Sequence, residues 1–236
     1  MTNEDRSSFG KGLEEFMKMN GFKGSYKSMN FIKKEKFGFY NLIMTKFTMG
    51  GAGGWIELNP VLQVRHSAVN EIVDSMGFID GVENQRKSPT LYRGLAQFPF
   101  GEIKEWPHII RFENFEIDKA AFTDKSISMM QKYGFDFFQG LSTIKSCSIG
   151  LNNPIKQIAH PLGNLFPKRA YYGLVAAVIS EPERVDNLLN SYSEYVYEES
   201  IRDPLMYNIG MDLPPQEAIV KRCNHVVNLA RSKFNT

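Results

Sequence analysis

Residues 37–65 read FGFYNLIMTKFTMGGAGGWIELNPVLQVR, and their patterning decides the fold class. Two apolar runs flank a glycine cluster, which is how a strand, a connection and a second strand look in sequence. In the first run Phe37, Phe39, Ile43 and Phe47 share one parity, and Tyr40, Leu42 and Met44 take the other. Apolar groups on both faces predict an inner strand covered on both sides. In the second run Ile56, Leu58, Leu62 and Val64 alternate with Glu57, Asn59, Gln63 and Arg65, which predicts a half-buried strand with one wet face. Pro60 brings no N–H to a ladder and so asks for an edge position or a bulge. The glycines Gly50, Gly51, Gly53 and Gly54 lead to Trp55 and a strand. A phosphate-binding loop would lead into a helix, so the reading is a hairpin connection.

Upstream, Phe9, Leu13, Phe16 and Met17 fall on one helical face, with Ser7 or Ser8 as cap and Asn20-Gly21 as stop. Residues 26–32 read as a strand closed by the charged turn Lys33-Lys34-Glu35-Lys36. Downstream, Ser67 caps a short helix carrying Val69, Ile72, Val73 and Met76, residues 77–89 form a loop, and residues 90–98 and 108–115 read as strands. From about residue 118 the pattern turns helical. A stripe of Ile127, Met130 and Tyr133 stops at Gly134, and a second helix covers 135–149 until Asn152-Asn153-Pro154. A third helix over 168–179 is apolar nearly all round, which predicts burial. Ser180-Glu181-Pro182-Glu183 starts a fourth over 182–201, and Pro214-Pro215 opens the last, with Ile219, Cys223, Val226, Val227 and Ala230 as its core face.

The class that follows is α+β: a curved antiparallel sheet of about five strands with an N-terminal helix, followed by a C-terminal helical region. We expect one compact unit over residues 1–236, with possible sub-regions 1–117 and 118–236.

Bulk chemistry narrows the function classes. The chain has 236 residues, 42% hydrophobic and 13% aromatic, with a net charge of +2. That composition folds, and it lacks the basic excess by which phosphate neutralisation holds nucleic acid. No apolar run is long enough to span a bilayer, and the polar, acidic opening is unlike a secretory signal, so a cytoplasmic location is expected. Cys147 and Cys223 are far apart in sequence and read as buried apolar residues.

Reactive constellations are sparse. His66, His108, His160 and His225 have no chelating spacing, and the sequence has no nucleophile elbow. Asp80, Glu102 and Lys104 give only a faint nuclease-like triplet. No metal and no cofactor is expected. The basic bias of the first fifty residues (Arg6, Lys11, Lys18, Lys23, Lys27, Lys33, Lys34, Lys36 and Lys46) reads as a solubilising surface, with an acidic partner or RNA as the alternative.

The most suggestive stretch is the fourth predicted helix. Val185, Leu188, Leu189, Tyr192 and Val196 make its inward stripe, so Glu183, Asp186, Asn190, Glu194, Tyr197 and Glu198 lie outward. An acidic face carrying a tyrosine suits a basic protein partner, because charge steers the encounter and an aromatic group anchors it. The rival class is an enzyme, such as a nuclease, drawing on Glu57, His66, Arg93, Arg111 and Glu113 in the sheet's concavity. A small-ligand-binding regulatory domain with the glycine loop as its lid is the third.

The order of pieces also resembles a bacterial domain-of-unknown-function family. The resemblance is carried by Met19-Asn20-Gly21-Phe22-Lys23 after a helix, a strand containing Phe31, the aromatic hairpin over 37–48 and the strand over 55–64. It continues in Tyr133-Gly134-Phe135-Asp136-Phe137-Phe138 with Leu141 and Ile144, and in a closing helical hairpin from Arg169. The chain departs from that pattern over 77–107 and in its longer tail. Proteins of this look often accompany bacterial toxins as immunity-like proteins. The resemblance therefore implies a non-catalytic binder that neutralises a cognate toxin.

Overall fold

A computed structural model describes residues 11–50, 54–77, 88–98, 109–156, 161–163, 166–198 and 216–235. Six strands and eight α-helices are defined among them. The order is α1 (Lys11–Met19), β1 (Lys23–Ser25), β2 (Asn30–Glu35), β3 (Gly38–Met49), β4 (Trp55–His66), α2 (Ser67–Asp74), β5 (Leu91–Gly94), β6 (Ile109–Arg111), α3 (Phe115–Met129), α4 (Phe135–Gly140), α5 (Ile144–Leu151), α6 (Lys168–Ser180), α7 (Val185–Tyr197) and α8 (Gln216–Phe234). The protein is α+β, with an antiparallel sheet, an N-terminal helix and a helical C-terminal part.

The chain divides into two compact units, residues 1–64 with 92–140, and residues 65–91 with 141–236. The first is built on the sheet, ordered β1-β2-β3-β4-β5, with β6 also paired to β4. Lys23–Ser25 pairs with Asn30–Ile32, and β2 continues along β3 from Asn30↔Ile43 to Glu35↔Gly38. Lys33, Lys34 and Glu35 therefore belong to a strand, and the turn is only Lys36-Phe37. The parity of β3 is as read: Tyr40, Leu42 and Met44 are buried. Cover on both faces is not: Phe39 and Ile43 are half-buried and residues 45–49 are exposed. β4 keeps its alternation through Pro60, which points inward with Leu58 and Leu62. β6 reaches only Trp55–Glu57, so its ladder ends before the proline.

α1 begins at Lys11 in the described residues, and the expected Phe9 and its caps lie outside them. Its Leu13, Phe16 and Met17 are buried, and Gly21 at φ +83° ends it. An aromatic cluster closes this core. Tyr40 stacks on Phe138 at 4.8 Å, Phe22 meets Phe138 at 5.7 Å, and Phe16 meets Phe135 at 5.9 Å. Gly134 does not stop the preceding helix. Residues Met130–Gly134 form one π-turn that carries α3 on into α4. The predicted helix over 135–149 is in turn split, because Thr143 caps a new helix by accepting from the Ser146 N–H at 3.0 Å.

The second unit is organised around α6. Every residue from Arg169 to Val178 is buried, and α2, α5, α7 and α8 pack on it. Each fully buried Val or Leu there contributes ~1.5–3 kcal/mol of transfer free energy. Arg169 in this apolar helix is 0% exposed because it closes α5: its guanidinium donates to the carbonyls of Leu151 at 2.7 Å, Pro154 at 3.1 Å and Ile155 at 2.7 Å. Ser180 does not cap the next helix; its hydroxyl returns to Ala176 O at 2.8 Å, and a single 3-10 turn, Pro182–Arg184, leads into α7. Likewise Ser67 is the first residue of α2, not its cap. The last helix buries Ile219, Cys223, Val226, Val227 and Ala230, as its sequence pattern demands.

Candidate functional site

α7 is held from within by Val185, Leu188, Tyr192, Tyr195 and Val196, all buried, so its opposite side is set firmly toward solvent. Tyr192 donates its hydroxyl to Asn152 Oδ1 at 2.8 Å, which fixes the helix to the residue that ends α5. On the outer side Glu183, Asp186, Asn190, Glu194 and Tyr197 are exposed and Glu198 is half-buried. Tyr197 is 57% exposed, a large amphipathic ring at the helix end. Part of the acidity is spoken for by the protein itself. Asp186 meets Arg231 at 2.9 Å, and Glu198 pairs with Lys156, whose ammonium it holds above its usual range. Glu181 turns inward and is 5% exposed. Burial pushes its carboxyl up, but hydrogen bonds from Arg184 and Ser148 outweigh that and leave it below the usual carboxylate range. Glu183 and Glu194 make no ion pair among the described residues, although Glu194 also acts on Lys156. Residues 199–201, the end of the helix as the sequence bounded it, lie outside the described residues.

Of the five residues of an enzyme-like site, Glu57 and Arg111 lie on the paired strands β4 and β6, where Ile109 faces Glu57 and Trp55 faces Arg111. Glu57 accepts from Asn59 at 2.9 Å, and Arg111 is engaged with Asp118 at 3.4 Å. Arg93 is buried, lies 4.2 Å over the Phe98 ring and donates to Gln97 O at 2.6 Å. Glu113 is exposed. His66 belongs to the other unit, where it is 0% exposed and sits 2.8 Å from Leu141 O through Nε2. Asp80, Glu102, Lys104 and residues 51–53 are outside the described residues. At the end of the glycine loop a Cβ on Gly54 would lie 2.6 Å from the Phe112 ring, and Gly54 O accepts from Phe112 N at 2.9 Å.

A buried polar cluster in the second unit escaped the sequence reading. Arg65, assigned there to a wet face, is 8% exposed. Its guanidinium meets Asp74 at 3.3 Å and donates to Ser88 O at 2.5 Å and Ser88 Oγ at 3.0 Å. Asn70 donates to the same two Ser88 oxygens at 3.1 Å and accepts from Thr90, whose Oγ1 also takes the His66 N–H at 2.7 Å. Burial pushes the Asp74 carboxyl up, against the pull of Arg65. Burial likewise lowers Lys168 and raises the Tyr172 hydroxyl, whose surroundings include Asp74. Ser88 has a carboxylate at 3.4 Å, but its oxygen already faces two donors, Arg65 and Asn70. Such a hydroxyl is a bridging acceptor, and the cluster braces the end of β4, α2 and residues 88–90. The available signal was Asn70 and Asp74 four apart on a helix whose other inward positions are apolar.

Among the described residues no three His, Cys, Asp or Glu side chains are grouped to hold a metal ion. Cys147 and Cys223 are free and buried, and burial pushes the Cys223 thiol up to about 12, far from the thiolate a nucleophile needs. No described helix is long and apolar enough to cross a membrane. Comparison with family models, curated proteins and solved structures finds no match for this chain.

Proposed function

We propose that this protein acts by binding another protein through the outer side of α7, and that its partner presents a basic surface, as a toxin domain neutralised by an immunity protein would. The carrying observation is Tyr197, 57% exposed at the end of a helix whose inner side is packed, with Asn190 and the acids Glu183, Asp186 and Glu194 exposed along the same outer side. A rigid aromatic group loses little conformational freedom on docking, and surrounding charge selects the sign of the partner. The paired acids are weaker contributors, since a basic partner must compete with Arg231 for Asp186 and with Lys156 for Glu198.

The test is affinity capture from the protein's own cells, followed by binding measurements on the captured partner. Glu183→Lys with Glu194→Lys reverses the two charges that make no ion pair among the described residues, without touching the packed side. Binding is expected to weaken about tenfold or more, chiefly through the association rate, and to lose much of its salt dependence. A partner bound equally well by this double variant, and by Tyr197→Ala, would remove α7 from the proposal.

A further inference from the structure

β3 outruns its neighbour. Its pairing with β2 ends at Asn30↔Ile43, and one more bond follows, from Met44 N–H to Met29 O at 2.8 Å. Residues 26–29 then turn toward β1, while β3 continues to Met49. Residues 45–49 are all exposed, and no described strand lies beside them on that side. Backbone groups alternate sides along a strand. Since Met44 points toward β2, Lys46 and Thr48 direct their N–H and C=O groups to the open edge, and Phe47 directs its own toward β4. An edge of this kind is a template for another strand.

We infer that the occupant is a second copy of this chain, paired antiparallel through residues 45–49 with the two-fold axis at Phe47. The register is self-complementary. Phe47 falls opposite Phe47 of the other copy as a non-hydrogen-bonded pair, where side chains approach most closely. Lys46 falls opposite Thr48, and each gives its N–H to the other's carbonyl. The segment's single charge thus meets a threonine, whereas an axis at Lys46 would oppose like charges. An axis at Thr48 would spend the pairing on Gly50, beyond the strand's end. Phe47 is 58% exposed, Met49 is 50% exposed, and the Phe47 ring lies 5.6 Å from Trp55. Pairing would extend this into an aromatic row, Trp55 and Phe47 of each copy in turn. Five residues of edge bury much less than the ~1,200–2,000 Å² of stable interfaces, so the dimer is weak, with a dissociation constant of about 10 µM to 1 mM.

The experiment uses the full chain, by sedimentation over a concentration series and by cross-linking. Phe47→Cys sets two thiols across the axis at the Cα separation a disulfide needs, and a symmetric disulfide dimer is expected on mild oxidation. Thr45→Cys faces Met49 of the other copy and is expected to stay unlinked under the same conditions. Thr48→Pro removes an edge N–H without touching the β4 side, and the dissociation constant should rise about tenfold or more. A monomer at every concentration, equal cross-linking of Phe47→Cys and Thr45→Cys, or capture of a different protein on the Phe47→Cys thiol in place of the symmetric dimer would each overturn the assignment. The cysteine comparison stands even where Thr48→Pro fails to fold, and Cys147 and Cys223 are buried and do not compete.

Discussion

Arg65 and Asp74 keep 9% and 7% of their side chains exposed, so two full charges have left water together. Desolvation outweighs the attraction, as the upward displacement of the Asp74 carboxyl records. Removing one partner therefore leaves an uncompensated buried charge. Arg65→Met is expected to lower stability by ~3–5 kcal/mol, whereas Arg65→Met with Asp74→Leu should recover most of that loss. Urea denaturation of the two variants measures it, and a double variant as unstable as the single one would contradict this account. His66 is the pH-sensitive member of the same neighbourhood. A carbonyl only accepts, so Nε2–H donates to Leu141 O, and burial holds the imidazole below its ordinary 6.5. A depressed base favours the neutral folded form, so its stabilisation is present above pH 6.5 and lost as pH falls through the folded value. His66→Gln keeps a donor without the titration. The urea midpoint should drop less between pH 7 and 5 for this variant than for the natural chain, and equal drops would place the pH sensitivity elsewhere.

The clearest constraint on an element is in α6, where Gly173 lies within a run that is otherwise a strong helix former. Alanine there would ordinarily stabilise a helix by ~1 kcal/mol. Here a Cβ would sit 2.3 Å from Asn152 Oδ1, the atom that accepts the Tyr192 hydroxyl, while the Asn152 amide donates to Gly173 O at 3.0 Å. Gly173→Ala should therefore destabilise by ~1–3 kcal/mol through overpacking. A thermal midpoint at or above that of the natural chain would show that the asparagine moves aside freely. This contact also marks where sequence reading stops. Periodicity showed that α6 is buried and which side of α8 faces inward, because those patterns are local and apolar. On α7 it placed Val185, Leu188, Tyr192 and Val196 inward as found, but it counted Leu189, which is half-buried, and left out Tyr195, whose ring meets Phe166 at 5.0 Å, since a tyrosine reads equally well as surface or core. The π-turn at Met130–Gly134 and the split at Thr143 depend on backbone bonding that composition does not encode. The polar cluster around Ser88 joins residues more than a dozen positions apart, and no periodic signal spans that distance. Of the candidate site, the outward set on α7 was legible because it is the complement of an apolar stripe. Its losses to Arg231 and Lys156 were not, for those cations come from elsewhere in the chain.

At the scale of the whole molecule, the chain enters the second unit after Val64, returns at Tyr92 and leaves again after Gly140. The short excursion over 65–91 cannot stand by itself. Val69, Ile72 and Val73 of α2 are buried, and α2 packs on α6 and α8, which the chain supplies only later. Exposing those three side chains costs ~1.5–3 kcal/mol each. His66 would also lose Leu141 as its acceptor, and Asp74 would lose Lys168 nearby. The sheet unit has its own core, and its β4 and β5 are neighbours in the sheet, so a short connection can join them. Two fragments separate these contributions. Residues 1–140 should be aggregation-prone, with rapid amide exchange through α2. The same fragment with residues 65–91 replaced by a Gly/Ser linker should remain soluble and unfold in one cooperative transition. If the bridged fragment is no better folded than the plain one, the sheet's core does not suffice without the helical unit. If both fold equally well, residues 65–91 need nothing from α6 and α8, and the buried side of α2 is not what ties them to the helical unit.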